Sequence, residues 1–91
     1  MPKRTGRPWR RLVPVVLRRD GGICHLCGRN GADTADHLVP FAHGGSDQLD
    51  NLKAAHRWCN RIRGDRPIDV ARADIARRLA TADDQHRGFA W

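Results

Sequence analysis

Residues 24–27 read CHLC and residues 56–60 read HRWCN, and these two stretches decide how the chain folds. A C-x2-C pair in a turn brings two thiolates to one metal ion, and the later stretch repeats that spacing with a His and a Cys. Four protein ligands leave no position for water, so we expect a structural Zn²⁺. The alternative is that the last Cys is a small buried residue and the His a surface residue. The predicted zinc ligands are Cys24, Cys27, His56 and Cys59.

A bound metal would matter for a chain of this size. A domain of 91 residues buries only about 60% of the surface of its unfolded chain, so zinc would reinforce a marginal core. Three Cys cannot all pair as disulfides, and the longest apolar run near the start, VPVVL at 13–17, is too short for a signal peptide. We therefore expect a cytoplasmic protein. No run approaches the roughly 18 apolar residues of a membrane span.

The net charge of +7 is concentrated near the N-terminus. Residues 1–19 carry seven Lys and Arg and no acid, whereas residues 20–91 balance ten basic against ten acidic side chains. Such a segment suits the phosphate backbone of DNA, because each neutralised phosphate releases a counterion. An ordinary solvated tail is the alternative. The residues predicted to contact phosphates are Lys3, Arg4, Arg7, Arg10, Arg11, Arg57, Arg61 and Arg63.

The pattern of turn residues and apolar spacing divides the chain into an arm, one domain and a tail. We predict a basic flexible arm over residues 1–8, a domain over 9–81 with its core at 20–66, and a flexible tail over 82–91. The apolar spacing of Ile68, Ala71, Ile75 and Leu79 predicts an amphipathic helix over about 68–80. Further predicted elements are a short helix over 13–20 with Pro14 in its first turn, a tight knuckle over 21–33, a strand over 34–41, and a brief strand leading into a helix that Gly64 and Pro67 close.

The segment between the two metal pairs contains a second polar group. Phosphodiester hydrolysis needs a base that activates water and a cation that stabilises charge on the phosphate. His37 has the chemistry of such a base, while Asp36 and Asn60 offer hard oxygen ligands that suit Mg²⁺ or Mn²⁺. Taken singly, each of these residues is also a common turn, cap or surface residue. Their joint order favours a catalytic site.

The ordered set CHLC, ADHLVPFAHGGSDQLDNL and HRWCN resembles the HNH endonuclease superfamily, the ββα-metal nucleases. This resemblance implies an α+β fold, a small ββα-metal unit with flanking helices stapled by a structural zinc. It also implies that Asp36 and Asn60 hold the catalytic cation, that His37 is the general base, and that Asn51 holds the loop and orients His37. The chain departs from the common pattern because its last catalytic position is Asn60 rather than a His.

The expected function is hydrolysis of DNA phosphodiester bonds, by nicking or by double-strand cleavage. The expected cofactors are structural Zn²⁺ and catalytic Mg²⁺ or Mn²⁺, and the expected partner is double-stranded DNA, bound by a monomer or a weak dimer. Two alternatives belong to another class. The chain would then be a zinc-stapled DNA-binding module, or an accessory subunit of a phage packaging or restriction system, without activity of its own.

Overall fold

The computed structural model describes the backbone of residues 7–87 and the side chains of residues 8–82. In this part of the chain, three helices surround a two-stranded antiparallel sheet, which confirms the α+β prediction. No helix within it is both long enough and apolar enough to cross a membrane. The elements are α1 (Arg7–Arg19), β1 (Thr34–His37), β2 (Leu52–Ala55), α2 (Arg57–Arg63) and α3 (Ile68–Arg87), with 3-10 turns at Phe41–His43 and Leu49–Asn51.

Helix α1 covers one face of the sheet and is longer than the predicted helix over 13–20. It begins at Arg7, so Pro14 lies inside it rather than in its first turn. A proline in a helix interior removes one hydrogen bond and crowds the carbonyl one turn earlier. Packing compensates for this loss, because α1 buries an apolar face against the sheet. Val16, Ala35, Leu52 and Ala54 form the buried core of that contact.

The opposite face of the sheet packs against the knuckle and the last two helices. Ala71 and Ile75 are fully buried there, which confirms the predicted apolar face of α3. The helix continues to Arg87, past the predicted end at about residue 80, because no Gly or Pro interrupts residues 81–87. Part of the segment predicted as a flexible tail is therefore helical, as is the end of the predicted arm. Residues 1–6 and 88–91 lie outside the described residues.

Strand β1 pairs with β2 over four residues, with Ala35 opposite Ala54 and His37 opposite Leu52. The predicted strand over 34–41 is thus too long. At the end of β1, the backbone carbonyls of His37 and Leu38 accept hydrogen bonds from the guanidinium group of Arg63 instead of from a neighbouring strand. The side chain of Arg63, which is distant in sequence, therefore takes the place of a strand partner before the chain reaches Pro40.

A charged pair at the end of α1 fastens that helix to β2. Arg19 donates to the carbonyl oxygens of Leu49 and Leu52, while the Asp20 carboxylate accepts the N–H of Ala54 at 2.9 Å. The hydrogen bond from Arg19 and the one from Ala54 lower the pKa of Asp20 to about 2, although partial burial opposes this. Asp20 is therefore ionised at neutral pH and holds both neighbours.

Candidate active site and metal centre

The four predicted zinc ligands come together in the structure. The ligand atoms of Cys24, Cys27, His56 and Cys59 all lie within 4.8 Å of one another. His56 Nδ1 is 3.3 Å from the sulfur of Cys27 and 3.7 Å from that of Cys59. Around a tetrahedral zinc with bonds of about 2.3 Å to sulfur and 2.0 Å to nitrogen, such atoms lie about 3.6 Å apart. The cluster therefore fits Zn²⁺.

The surroundings of the cluster favour a cation. His56 Nε2 lies 2.8 Å from the carbonyl oxygen of Asn30, which fixes the hydrogen on Nε2 and turns the Nδ1 lone pair toward the thiols. Burial opposes ionisation of Cys24, but hydrogen bonds from the backbone of His56, Cys27 and Leu26 lower its pKa to about 7. Burial and the neighbouring Cys24 thiolate raise the pKa of Cys59. Crowded sulfurs of this kind are stabilised by a shared metal ion.

The knuckle that carries the first two ligands is closed by backbone hydrogen bonds. Gly28 donates to the carbonyl of Cys24 at 2.8 Å, and Cys24 donates to that of Arg29 at 3.0 Å. The turn requires a positive φ of 79° at Gly28, a conformation that glycine adopts without steric cost. The predicted tight knuckle is confirmed. Its far end caps α2, because the carboxylate of Asp33 accepts the N–H of Arg57 at 2.8 Å.

His37 and Asn60 line one cleft of about 720 Å³, which is bounded by residues of α1, β1 and α2. Asn60 follows the last zinc ligand along α2, so Cys59 faces the buried metal cluster while Asn60 faces the cleft. Within the described residues, the side chain of Asn60 makes no hydrogen bond to protein. The exposed side chains of Arg10 and Arg57 line the same cleft.

The imidazole ring of His37 is held on two sides. Its Nε2 lies 2.7 Å from a carboxylate oxygen of Asp47, and its ring stacks on the indole of Trp9 with centroids 5.2 Å apart and planes 6° apart. Because the carboxylate can only accept, Nε2 carries the hydrogen and the lone pair is on Nδ1. This arrangement leaves Nδ1 as the ring nitrogen that can accept a proton.

The Asp36 carboxylate is not among the groups that line this cleft, and it is almost fully buried, with 5% of its side chain exposed. Arg63 Nη1 is 2.6 Å and His25 Nε2 is 2.8 Å from its Oδ2 atom. Both partners contact the same oxygen, and no hydrogen bond reaches Oδ1 from the described residues. A buried carboxylate oxygen without a partner is costly unless something else binds it.

This geometry falls within a stretch of sequence shared with known proteins. Residues 24–66 match the family model of the HNH endonuclease. The matched stretch contains both halves of the zinc cluster and the predicted catalytic residues, while α1 and α3 flank it. No curated protein and no solved structure matches the chain. The HNH match implies nuclease activity in general and a domain that binds divalent metals.

One predicted phosphate contact in the HNH stretch is wrong. Arg63 is 2% exposed, and its guanidinium group donates hydrogen bonds to Asp36 and to the backbone carbonyls of His37, Leu38 and Arg66. It therefore holds the end of β1 against α2 and cannot reach DNA. Of the other residues predicted to contact phosphates, Arg10, Arg11, Arg57 and Arg61 are exposed, the side chain of Arg7 is not described, and Lys3 and Arg4 lie outside the described residues.

Asn51 closes the loop between the two strands. Its Oδ1 accepts the N–H of Val39 at 2.9 Å, and its Nδ2 donates to the carbonyls of Val39 and Ser46 at 3.2 and 2.8 Å. Gly45 passes so close to this clasp that an added Cβ would lie 1.7 Å from the Val39 carbonyl oxygen. The clasp holds the loop that carries Asp47 beside His37.

Gly45→Ala is therefore expected to destabilise the protein by about 3 kcal/mol, because the loop must open to make room. Gly44→Ala is the matched control. Gly44 has a φ of +88° but open space around its Cα, so its substitution should cost only about 1 kcal/mol. Urea unfolding of both variants measures the two losses. A larger loss for Gly44→Ala than for Gly45→Ala would contradict the close approach seen here.

Sequence reasoning missed three residues that surround the predicted catalytic set. Trp9 stacks on His37, Asp47 accepts its hydrogen bond, and His25 contacts Asp36. Asp47 lies in the polar loop after Gly44-Gly45, which placed it near the site without indicating its partner. Trp9 and His25 gave no comparable indication, because their partners are 28 and 11 residues away in sequence.

Proposed function

We propose that this chain is a metal-dependent endonuclease that hydrolyses the phosphodiester bonds of DNA. The proposal rests on one observation, that His37 and Asn60 line the same cleft as the exposed guanidinium groups of Arg10 and Arg57. Guanidinium groups match the geometry of phosphate oxygens and neutralise their charge. A phosphate held by them would lie in the cleft that His37 lines. The HNH match supports nuclease chemistry in general.

In this proposal His37 is the general base. Its Nδ1 lone pair takes a proton from a water molecule, and the water oxygen attacks phosphorus as the bond to the leaving oxygen breaks. Asp47 keeps the hydrogen on Nε2 and stabilises the imidazolium that forms, as a buried carboxylate does for a catalytic histidine in other hydrolases. Asn51 supports this arrangement by holding the loop that carries Asp47.

Asp36 and Asn60 would hold the catalytic cation. The fit rests on the Oδ1 atom of Asp36 and the side-chain amide of Asn60, neither of which has a protein partner among the described residues. Oxygen ligands of this kind suit Mg²⁺ or Mn²⁺, which keep several waters and bind substrate phosphate. When bound, such a cation supplies positive charge for the phosphate and the leaving oxygen.

Supercoiled plasmid tests the proposal directly. The zinc-loaded protein, incubated with plasmid and Mg²⁺ or Mn²⁺, is expected to convert supercoiled DNA into nicked or linear forms, and the same protein without added divalent cation is the control. The products are separated on agarose gels. Absence of conversion with either cation, by protein that is folded and contains one equivalent of zinc, would contradict the proposal.

The ion pair of Asp36 favours a second candidate, a zinc-stapled DNA-binding module without activity of its own. Arg63 already pairs with one oxygen of that carboxylate, and its positive charge reduces what the carboxylate can offer a cation. Retarded migration of a DNA duplex without cleavage would support this candidate. Co-purification with a larger subunit would indicate that the chain is an accessory subunit of a phage packaging or restriction system.

A further inference from the structure

His25 lies between two zinc ligands, but its ring turns away from the metal cluster. The side chain is 9% exposed, and its Nε2 atom lies 2.8 Å from Oδ2 of Asp36. It therefore links the knuckle that carries Cys24 and Cys27 to the buried carboxylate of Asp36. Neither the zinc cluster nor the proposed base uses this side chain.

The hydrogen-bond partners of His25 define its tautomer. Its backbone N–H donates to the carbonyl of Ala54 at 2.9 Å, and its carbonyl accepts Nε of Arg72 at 2.9 Å. A second nitrogen of Arg72 lies 3.5 Å from the Nδ1 atom of the ring. Because a guanidinium group can only donate, Nδ1 is the acceptor and Nε2 carries the hydrogen. His25 thus donates to Asp36 through Nε2.

Asp36 receives two donors of different origin on one oxygen. Arg63 approaches from the end of α2 at 2.6 Å, and His25 approaches from the knuckle at 2.8 Å. Two donors on Oδ2 fix the plane of the carboxylate, and with it the direction of Oδ1. Removal of the His25 donor would leave Arg63 as the single donor on Oδ2, and the carboxylate could then turn about its Cβ–Cγ bond. Such a turn would change the direction of Oδ1, the oxygen that a cation needs.

We propose that His25 is a positioning residue that couples the zinc knuckle to the catalytic cation site by holding Asp36 with Oδ1 available for that cation. This inference rests on the proposed function, in which Asp36 and Asn60 hold Mg²⁺ or Mn²⁺. His25 has little freedom to move independently, since it lies one residue after one zinc ligand and two before the next. A zinc-bound knuckle therefore fixes the donor, and the donor fixes the carboxylate.

The test measures Mn²⁺ binding rather than cleavage. Zinc-loaded full-length protein is titrated with Mn²⁺, and free Mn²⁺ is followed by electron paramagnetic resonance for the wild type, His25→Ala and His25→Gln. His25→Ala is expected to weaken Mn²⁺ binding roughly 10- to 100-fold, as loss of a hydrogen bond to a metal ligand does elsewhere. His25→Gln keeps an N–H donor at a similar reach and should bind Mn²⁺ within about threefold of the wild type.

Two further variants separate positioning from a structural role. His43→Ala removes a histidine that is 54% exposed and pairs only with Asp65 among the described contacts of its ring, so Mn²⁺ binding should not change. If His25→Ala fails to fold, His25→Asn takes its place in the comparison. Its amide is too short to reach Asp36, so it should weaken Mn²⁺ binding to the extent expected of the alanine variant. Zinc content should stay at one equivalent in every variant that is compared.

The possible results are distinguishable. Mn²⁺ binding by His25→Ala or His25→Asn at the wild-type affinity, with zinc retained, would overturn the coupling and leave the proposed function intact. Equal weakening by His25→Gln and His25→Asn would overturn it as well, because the donor would then be irrelevant. Absence of Mn²⁺ binding by the wild-type protein would overturn both the cation site and the inference built on it.

Discussion

Replacement of His37 by alanine is expected to lower the rate of plasmid cleavage by roughly 10²- to 10⁴-fold, the usual contribution of a general base. The ring is the only described group in the cleft whose nitrogen lone pair is oriented by a carboxylate partner, Asp47. Without it, water must lose its proton to solvent. Initial rates of plasmid nicking at saturating Mg²⁺ or Mn²⁺ measure the effect.

Two variants control for loss of structure. His37→Gln keeps a donor for Asp47 but has no basic nitrogen, so it should be as inactive as the alanine variant. His43→Ala removes a half-exposed ring elsewhere in the loop and should cleave normally. All three should retain one equivalent of zinc and the wild-type affinity for a DNA duplex. Wild-type cleavage by His37→Ala, in preparations free of contaminating nuclease, would reject His37 as the base.

Removal of zinc is expected to abolish the cooperative unfolding transition. Structural zinc sites contribute about 10 kcal/mol or more to the folding of small domains, which equals or exceeds the whole stability of a domain of this size. Three sulfurs of the cluster are packed into the core between the knuckle, α2 and α3, so loss of the ion would leave them packed together without their common partner. Cys24→Ser should produce the same loss without a chelator.

Circular dichroism with thermal melting measures this loss after treatment with a zinc chelator. Readdition of Zn²⁺ should restore the transition, whereas Mg²⁺ at the same concentration should not, because thiolate and imidazole ligands select the softer ion. A sharp transition in protein shown by metal analysis to lack zinc would contradict the structural role. Retention of a full equivalent of zinc by Cys24→Ser would contradict the ligand assignment.

The zinc cluster illustrates what could be predicted from the sequence. Each half of the site is a pair of ligands two residues apart, and so short a spacing nearly dictates the local geometry. All three Cys were required to complete the set, which left little choice of partners. The same reasoning placed Asn60 on another side of α2 from Cys59, and the structure shows that difference directly.

Arg63 illustrates what could not be predicted. In the sequence it is one of several Arg in a basic stretch, and basic side chains are rarely buried. Its burial depends on Asp36, which is 27 residues away, and on the carbonyls of His37 and Leu38 at the end of β1. Packing alone therefore decides that Arg63 forms a structural ion pair rather than a phosphate contact.

The sequence by itself determined the two metal pairs and the apolar face of α3, which depend on short spacings and on periodicity, both local properties of the chain. Its resemblance to the HNH endonucleases implied the α+β class and the candidate set of Asp36, His37, Asn51 and Asn60. The tertiary structure alone decided that α1 runs through Pro14, that Arg63 is buried, and that Asp47, Trp9 and His25 are the neighbours of the catalytic candidates. The physical reason is that these contacts join segments far apart in sequence, where packing rather than local preference selects the partner.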